Sequence, residues 1–237
     1  MSGHSKWATI KRAKGANDAK RGAIFTKIGN QIAIAARAGA DPTMNAGLAM
    51  MVEKAKSVNM PNTNIQRAID RVSDKNAAVL EEVTYEAYGP GGVGIIVEAA
   101  TDNKNRTLPE VKNALTKNGG RMAEPGSVAF QFDRKGVLRI KAEGEDSLLA
   151  VLDAGADDAV EEDGGMTVVT DPKKLAQVRE NLQRSGVTII EAGLEYLPKS
   201  TVAISDAEAE RKLLNLFDVL DELDDVVNVS SNAHFAD

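Results

Sequence analysis

GVLRIKAEGEDSLLAVLDAGADDAVEEDGGMTVVTDPKKLAQVRENLQRSGVTIIEAGLEYLP, residues 136–198, switches repeatedly between two hydrophobic periods. Residues 137–142, 158–162, 166–170 and 187–196 are short runs rich in β-branched and apolar side chains, as strands are. Between them, 146–154 and 172–185 repeat their apolar residues every three or four positions, which predicts two helices. The resulting order, β-α-β-β-α-β, is that of a ferredoxin-like sandwich.

Outward from this unit, the pattern on each side is incomplete until the two sides are joined. Before it stand an alternating run at 83–88, the turn GPGG at 89–92, a β-rich run at 93–99, a helix at 105–118 closed by Gly119 and Gly120, and a strand at 127–132. After it come a helix at 206–223 and a strand at 226–230. A strand-strand-helix-strand segment plus a later helix-strand make one domain split by the insert, with the chain leaving near Arg134 and returning near Ile204. Upstream, Ile24, Ile28, Ile32 and Ala35 form a helical stripe from Ala23 that ends at Gly39. Asn45 caps a second helix burying Leu48, Met51, Val52 and Ala55, and Pro61 opens a third burying Ile65, Ala68, Ile69 and Val72. The expected fold class is α+β with three domains. These are a basic arm and three-helix bundle over 1–78, a split α/β domain over 79–134 and 204–237, and an inserted domain over 135–203, both α/β domains being ferredoxin-like sandwiches.

Charge is distributed as unevenly as hydrophobicity. Residues 1–80 hold 13 Lys and Arg against 5 Asp and Glu, whereas 81–237 hold 16 against 30, so a +8 segment precedes a −14 body within a chain of net charge −6. Residues 1–22 contain one aromatic, one large aliphatic residue and three glycines. Since ordering each residue costs about 1–2 kcal/mol, Trp7 and Ile10 offset little of that cost, and the segment reads as an arm that orders on a partner. Cationic segments neutralise phosphates and release counterions whatever the base sequence. The candidate nucleic-acid contacts are therefore Lys6, Trp7, Lys11, Arg12, Lys14, Lys20, Arg21 and Lys27, with Trp7 either stacking on a base or docking on the protein's own surface.

Enzyme chemistry finds little material. The histidines are His4, on the arm, and His234, near the other end, so no rigid general base is in place for a Ser/His/Asp constellation. GPGGVG at 89–94 imitates a dinucleotide fingerprint but lies between strands, where glycines supply positive φ for a hairpin. The acids Asp157, Asp158, Glu161, Glu162 and Asp163 miss the calcium-loop spacing and read as a solvated strand face. No catalytic residue, metal site or cofactor is assigned. The absence of cysteine fits a reducing compartment, no apolar run approaches the roughly 20 residues of a membrane span, and the expected location is cytoplasmic.

TDNKNRT at 101–107 is a second candidate contact. Its Asn and Thr residues are capping types, but Lys104 and Arg106 oppose the dipole at the predicted helix start, which suggests a loop that recognises phosphate.

Read together, GHSKW at 3–7, DAKRG at 18–22 with Phe25, the pair Ala36 and Arg37, NMP at 59–61, YGPGG at 88–92, TDNKNRT at 101–107 and GSVAF at 126–130 resemble the YebC family, in order across almost the whole chain. The resemblance implies a helical N-terminal domain followed by two α/β domains, and a non-enzymatic role in gene expression. Bacterial members are described as probable transcriptional regulators that bind DNA; mitochondrial relatives are translational activators, and some bacterial members are thought to act at the ribosome on difficult nascent sequences such as proline runs. The partner implied is DNA or ribosomal RNA, with the ribosome itself as an alternative. A module that binds only protein is the competing class, and it would not need the arm.

Overall fold

The structure is a computed structural model describing residues 18–74, 77–142, 144–162 and 164–235, with backbone alone for 18–21 and 162. Helices α1 (Asp18–Ala35), α2 (Ala46–Ser57) and α3 (Asn62–Asp70) come first. Ile28, Ile32, Leu48, Ala55, Met60, Ile65 and Ile69 are buried between them, which is the stripe pattern of the sequence closed into a small core. Helix α1 begins at Asp18, so the last five residues of the expected arm are helical. Asn45 caps α2 as predicted, its side chain accepting from Leu48 N at 3.1 Å.

The hairpin follows as β1 (Glu81–Tyr88) and β2 (Gly94–Thr101), then α4 (Lys104–Lys117) and a short β3 (Arg121–Met122). Strand β4 (Phe132–Lys141) opens the next sheet, with α5 (Glu145–Asp153), β5 (Asp158–Glu162), β6 (Gly165–Thr170), α6 (Leu175–Arg184) and β7 (Thr188–Pro198). The strand order β5-β6-β4-β7, all antiparallel, is that of the ferredoxin-like sandwich. Leu138, Ile140, Val151, Met166, Val168, Leu175, Val178 and Leu182 fill the space between this sheet and its helices.

The chain then returns through β8 (Val202–Ile204), α7 (Ala207–Glu222), β9 (Val226–Ser231) and β10 (Ala233–Phe235). Strand β9 pairs with β2, completing a four-stranded sheet of order β3-β1-β2-β9. Helices α4 and α7 cover one face of it, burying Val111, Leu115, Leu213, Leu216, Phe217 and Leu220 against Ile95, Val97 and Ala99. This sheet has the two layers of the inserted one but a different strand order, because its first two strands form a hairpin and its last arrives from beyond the insert. The other face is capped by the stretch 123–131 and by Tyr196 of β7.

Two departures from the sequence reading stand out. Residues 127–131, expected as strand, instead form a turn ending in a short 3-10 segment at Ala129–Gln131. The edge strand β7 is covered by α2, whose Met50 reaches the inserted core. Arg179 pairs with Glu53, and Lys54 with Glu191 at 3.5 Å, along that junction. Covering an edge with a helix keeps its unpaired backbone groups from templating another strand.

Candidate nucleic-acid interface

The predicted contacts fall into three groups. Lys6, Trp7, Lys11, Arg12 and Lys14 lie outside the described residues, and Lys20 and Arg21 lie on the first turn of α1. Lys27 sits two turns on and is only 9% exposed. Its ammonium donates to the carbonyl of Asp221 at the end of α7 and lies 3.8 Å from that residue's carboxylate. This cation ties α1 to the split sheet and is not presented to solvent. A lysine at a helix C-terminus also meets the negative end of the dipole, so the arrangement is favourable on its own terms.

Lys104 and Arg106 occupy the motif TDNKNRT, three side chains of which converge on one buried acid, Asp225. Arg106 donates to both carboxylate oxygens at 2.9 and 2.8 Å, Thr107 Oγ1 to Oδ2 at 2.6 Å, and Thr101 Oγ1 to Oδ2 at 3.0 Å. Burial raises the Asp225 pKa, but hydrogen bonds from Thr107, Arg106 and Thr101 outweigh it and hold the carboxyl below its ordinary value. Asn103 caps α4 by accepting from Arg106 N at 3.2 Å, and Lys104 pairs with Glu81 at 2.5 Å. Arg71 of the helical unit reaches the same loop, 3.9 Å from Asp102. The cations that looked surplus to capping therefore have carboxylate partners, and Asp225, 118 residues from Thr107, leaves no local trace that would announce it.

GHSKW lies outside the described residues, whereas NMP, YGPGG and GSVAF are likewise built into the fold. In NMP, Asn59 has φ 59°, with Asn59 N bonded to Lys56 O at 3.0 Å and Met60 N to Ala55 O at 2.9 Å, the paired bonds of a Schellman helix end. In YGPGG, a Cβ on Gly89 would stand 2.8 Å from Leu213 and 2.9 Å from Ile95, so the start of the turn lies tight beneath α7. In GSVAF, the N–H groups of Gly126, Val128 and Ala129 converge on the carboxylate of Glu86 at 2.5, 2.6 and 2.7 Å. Burial pushes Glu86 up, and these three donors more than reverse it, leaving its pKa lowered.

What remains exposed on the helical unit is cationic and polar. Lys56 and Arg67 are exposed and hold no ion pair among the described residues, and Asn62, Thr63 and Gln66 share the outer face of α3. A four-residue turn at 58–61 joins helix α2 to α3. A cleft of about 450 Å³ between α2 and β7 is lined by Met50, Val58, Arg139, Arg179 and Ile189. No group of three or more metal-ligating side chains occurs among the described residues.

Residues 5–75 match the TACO1/YebC protein N-terminal domain, and residues 80–233 match the TACO1/YebC second and third domain. The chain belongs to the TACO1/YebC family. A "Probable transcriptional regulatory protein" of Treponema denticola is 51% identical, over 98% of this chain and 96% of its own. One of the same name from Lactiplantibacillus plantarum is 44% identical over 100% of both. A crystal structure of a conserved hypothetical protein from Aquifex aeolicus superposes with a TM-score of 0.87 at 40% identity, covering 93% of each chain. The TACO1/YebC fold thus extends over nearly all of this sequence, and no helix among the described residues is long and apolar enough to cross a membrane.

Proposed function

We propose that this TACO1/YebC protein is a non-enzymatic regulator of gene expression that binds DNA through its basic N-terminal region. One observation carries the reading. Lys27, Arg71, Lys104 and Arg106 are engaged by carboxylates of the body, so the candidate contacts left for a polyanion are the seven named residues of 1–21, along with Lys56 and Arg67. The acidic body repels nucleic acid at long range, which steers the first encounter to the basic end. The α2-turn-α3 pair supports duplex DNA in particular. Its exposed Asn62, Gln66 and Arg67 are side-chain types that read base edges in the major groove, while the preceding lysines and arginines grip phosphates.

The test is a salt titration of binding to a labelled duplex by the full chain and by a Lys11→Ala, Arg12→Ala, Lys14→Ala variant. Each lost phosphate contact should reduce the log-log slope by about 0.9, so the triple variant should bind more weakly with a slope shallower by roughly 2 to 3. Identical curves for the two proteins would overturn the reading. Stronger, arm-dependent binding to ribosomes than to duplex would transfer the same contacts to ribosomal RNA.

A further inference from the structure

Phe130 is 65% exposed, and it is the one exposed aromatic side chain among the described residues. Its neighbours are not exposed with it. Val128 and Phe132, two residues to either side, are buried at 0% and 5% in the small core beneath the turn. The turn itself is fixed at nearly every polar atom. Glu86 gathers three of its N–H groups, Tyr88 Oη donates to Ser127 O at 2.9 Å, and Lys199 Nζ donates to Phe130 O at 3.0 Å. Lys199 N donates to Gln131 O at 2.9 Å, and Asn232 Nδ2 to Gln131 Oε1 at 2.9 Å. A rigid scaffold therefore holds an apolar ring in water, where it gains nothing for folding.

Cations flank this turn on an otherwise acidic body. Lys199, half-exposed, has the exposed Asp133 as its ion partner among the described residues, at 3.3 Å. Arg121 stacks on Tyr88, its guanidinium 4.8 Å from the ring centroid, and holds no carboxylate among the described residues. Glu124 is the exposed acid of the same loop. A protein pocket receiving Phe130 would ask for a contiguous patch of large apolar side chains around it, whereas Val128 and Phe132 are buried, Ala129 is small and half-buried, and Gln131 is polar. A nucleobase asks for one π face and cations near its phosphates.

We propose that Phe130 is a stacking platform for a nucleobase, with Lys199, bonded to its carbonyl, and Arg121, stacked on the Tyr88 that holds the turn, for the flanking phosphates. This rests on the nucleic-acid reading above and adds a second contact outside the basic N-terminal segment of the sequence. The base could come from a single strand or from a duplex step that Phe130 wedges open; the chemistry is shared.

The experiment uses the full chain and measures anisotropy of an end-labelled thymidine single strand and of a duplex of equal length, across salt. Four proteins are compared: wild type, Phe130→Ala, Phe130→Tyr and the Lys11, Arg12, Lys14 triple variant. Phe130→Ala should bind about tenfold more weakly with an unchanged salt slope, because stacking releases no counterions. Phe130→Tyr should restore affinity, and both Phe130 variants should melt at the wild-type temperature. A loss confined to the single strand identifies an unpaired base, and a loss on the duplex as well identifies a wedge. If Phe130→Ala binds both polymers like wild type while the triple variant is weakened, the platform is refuted and the regulator reading stands. A failure of Phe130→Tyr to restore affinity also refutes it. If the wild-type chain binds neither polymer, both readings fall.

Discussion

Glu86 shows how one side chain shapes a segment. A carboxylate accepting three backbone donors in a mostly buried site is stabilised as the anion, since each charge-assisted bond is stronger than a neutral one. Its folded pKa is lowered, so its contribution is present above the unfolded value of about 4.3 and is lost as pH falls through the folded value. Glu86→Gln keeps the shape but turns an amide N–H₂ toward N–H donors, and should cost about 2 kcal/mol at pH 7 in a denaturant melt. The gap between variant and wild type should close as the pH is taken below 4. A constant gap would mean the charge of Glu86 does not matter. Asp225, also lowered, titrates in the same direction, so acid should loosen the 123–131 turn and the 101–107 loop together.

At the scale of elements, the end of α2 offers a test free of charge. Asn59 is the one non-glycine residue with positive φ among those described, and the left-handed region costs most side chains roughly 1–2 kcal/mol. Asn59→Val should lower stability by about that amount while Asn59→Gly leaves it nearly unchanged, as read from thermal melts; equal effects would show that Schellman geometry is not what the position requires. Elements of this kind are legible in sequence because their causes are local: the Asn45 cap, the glycine turn at 89–92, and all six elements of the inserted sandwich, of which only the first strand starts well off its expected position, at Phe132 instead of Val137. What could not be read has a distant cause. Residues 127–131 look like strand until Glu86, some 40 positions earlier, claims the N–H groups of Val128 and Ala129. Lys27 looks like part of a phosphate-binding arm until α7 arrives to meet it. The loop 101–107 looks like a recognition loop until Asp225 supplies its acid. In each case an acidic partner lay beyond any window in which periodicity or capping could be seen.

The whole molecule is held as one by narrow polar joints. Between the helical unit and the inserted sandwich, the guanidinium of Arg179 is largely buried and pairs with half-exposed Glu53, while Lys54 and Glu191 are each about a third exposed. Removing Glu53 strands a buried cation, whereas the more exposed pair is worth at most about 1 kcal/mol. Glu53→Ala should therefore destabilise more than Lys54→Ala, and amide exchange along β7 should quicken in the former. Equal protection of β7 in both variants would show that Met50 alone keeps α2 seated.

Strands β4 and β7 run side by side from Phe132 opposite Pro198, so the chain enters and leaves the insert at one place. This bears on the order of folding. For the split sheet, everything between those two residues counts as a loop that must close before β9 can reach β2. A loop of about 65 residues has some four doublings more than a tight turn, each worth about 0.6 kcal/mol of closure entropy. Once the insert has folded, its paired strands shorten that loop to the length of a turn, and a barrier on the order of 2 kcal/mol is removed. The sandwich in the middle of the sequence is thus a folding catalyst for the sheet around it, and variants that unfold it should slow the docking of β9 without touching a residue of either strand.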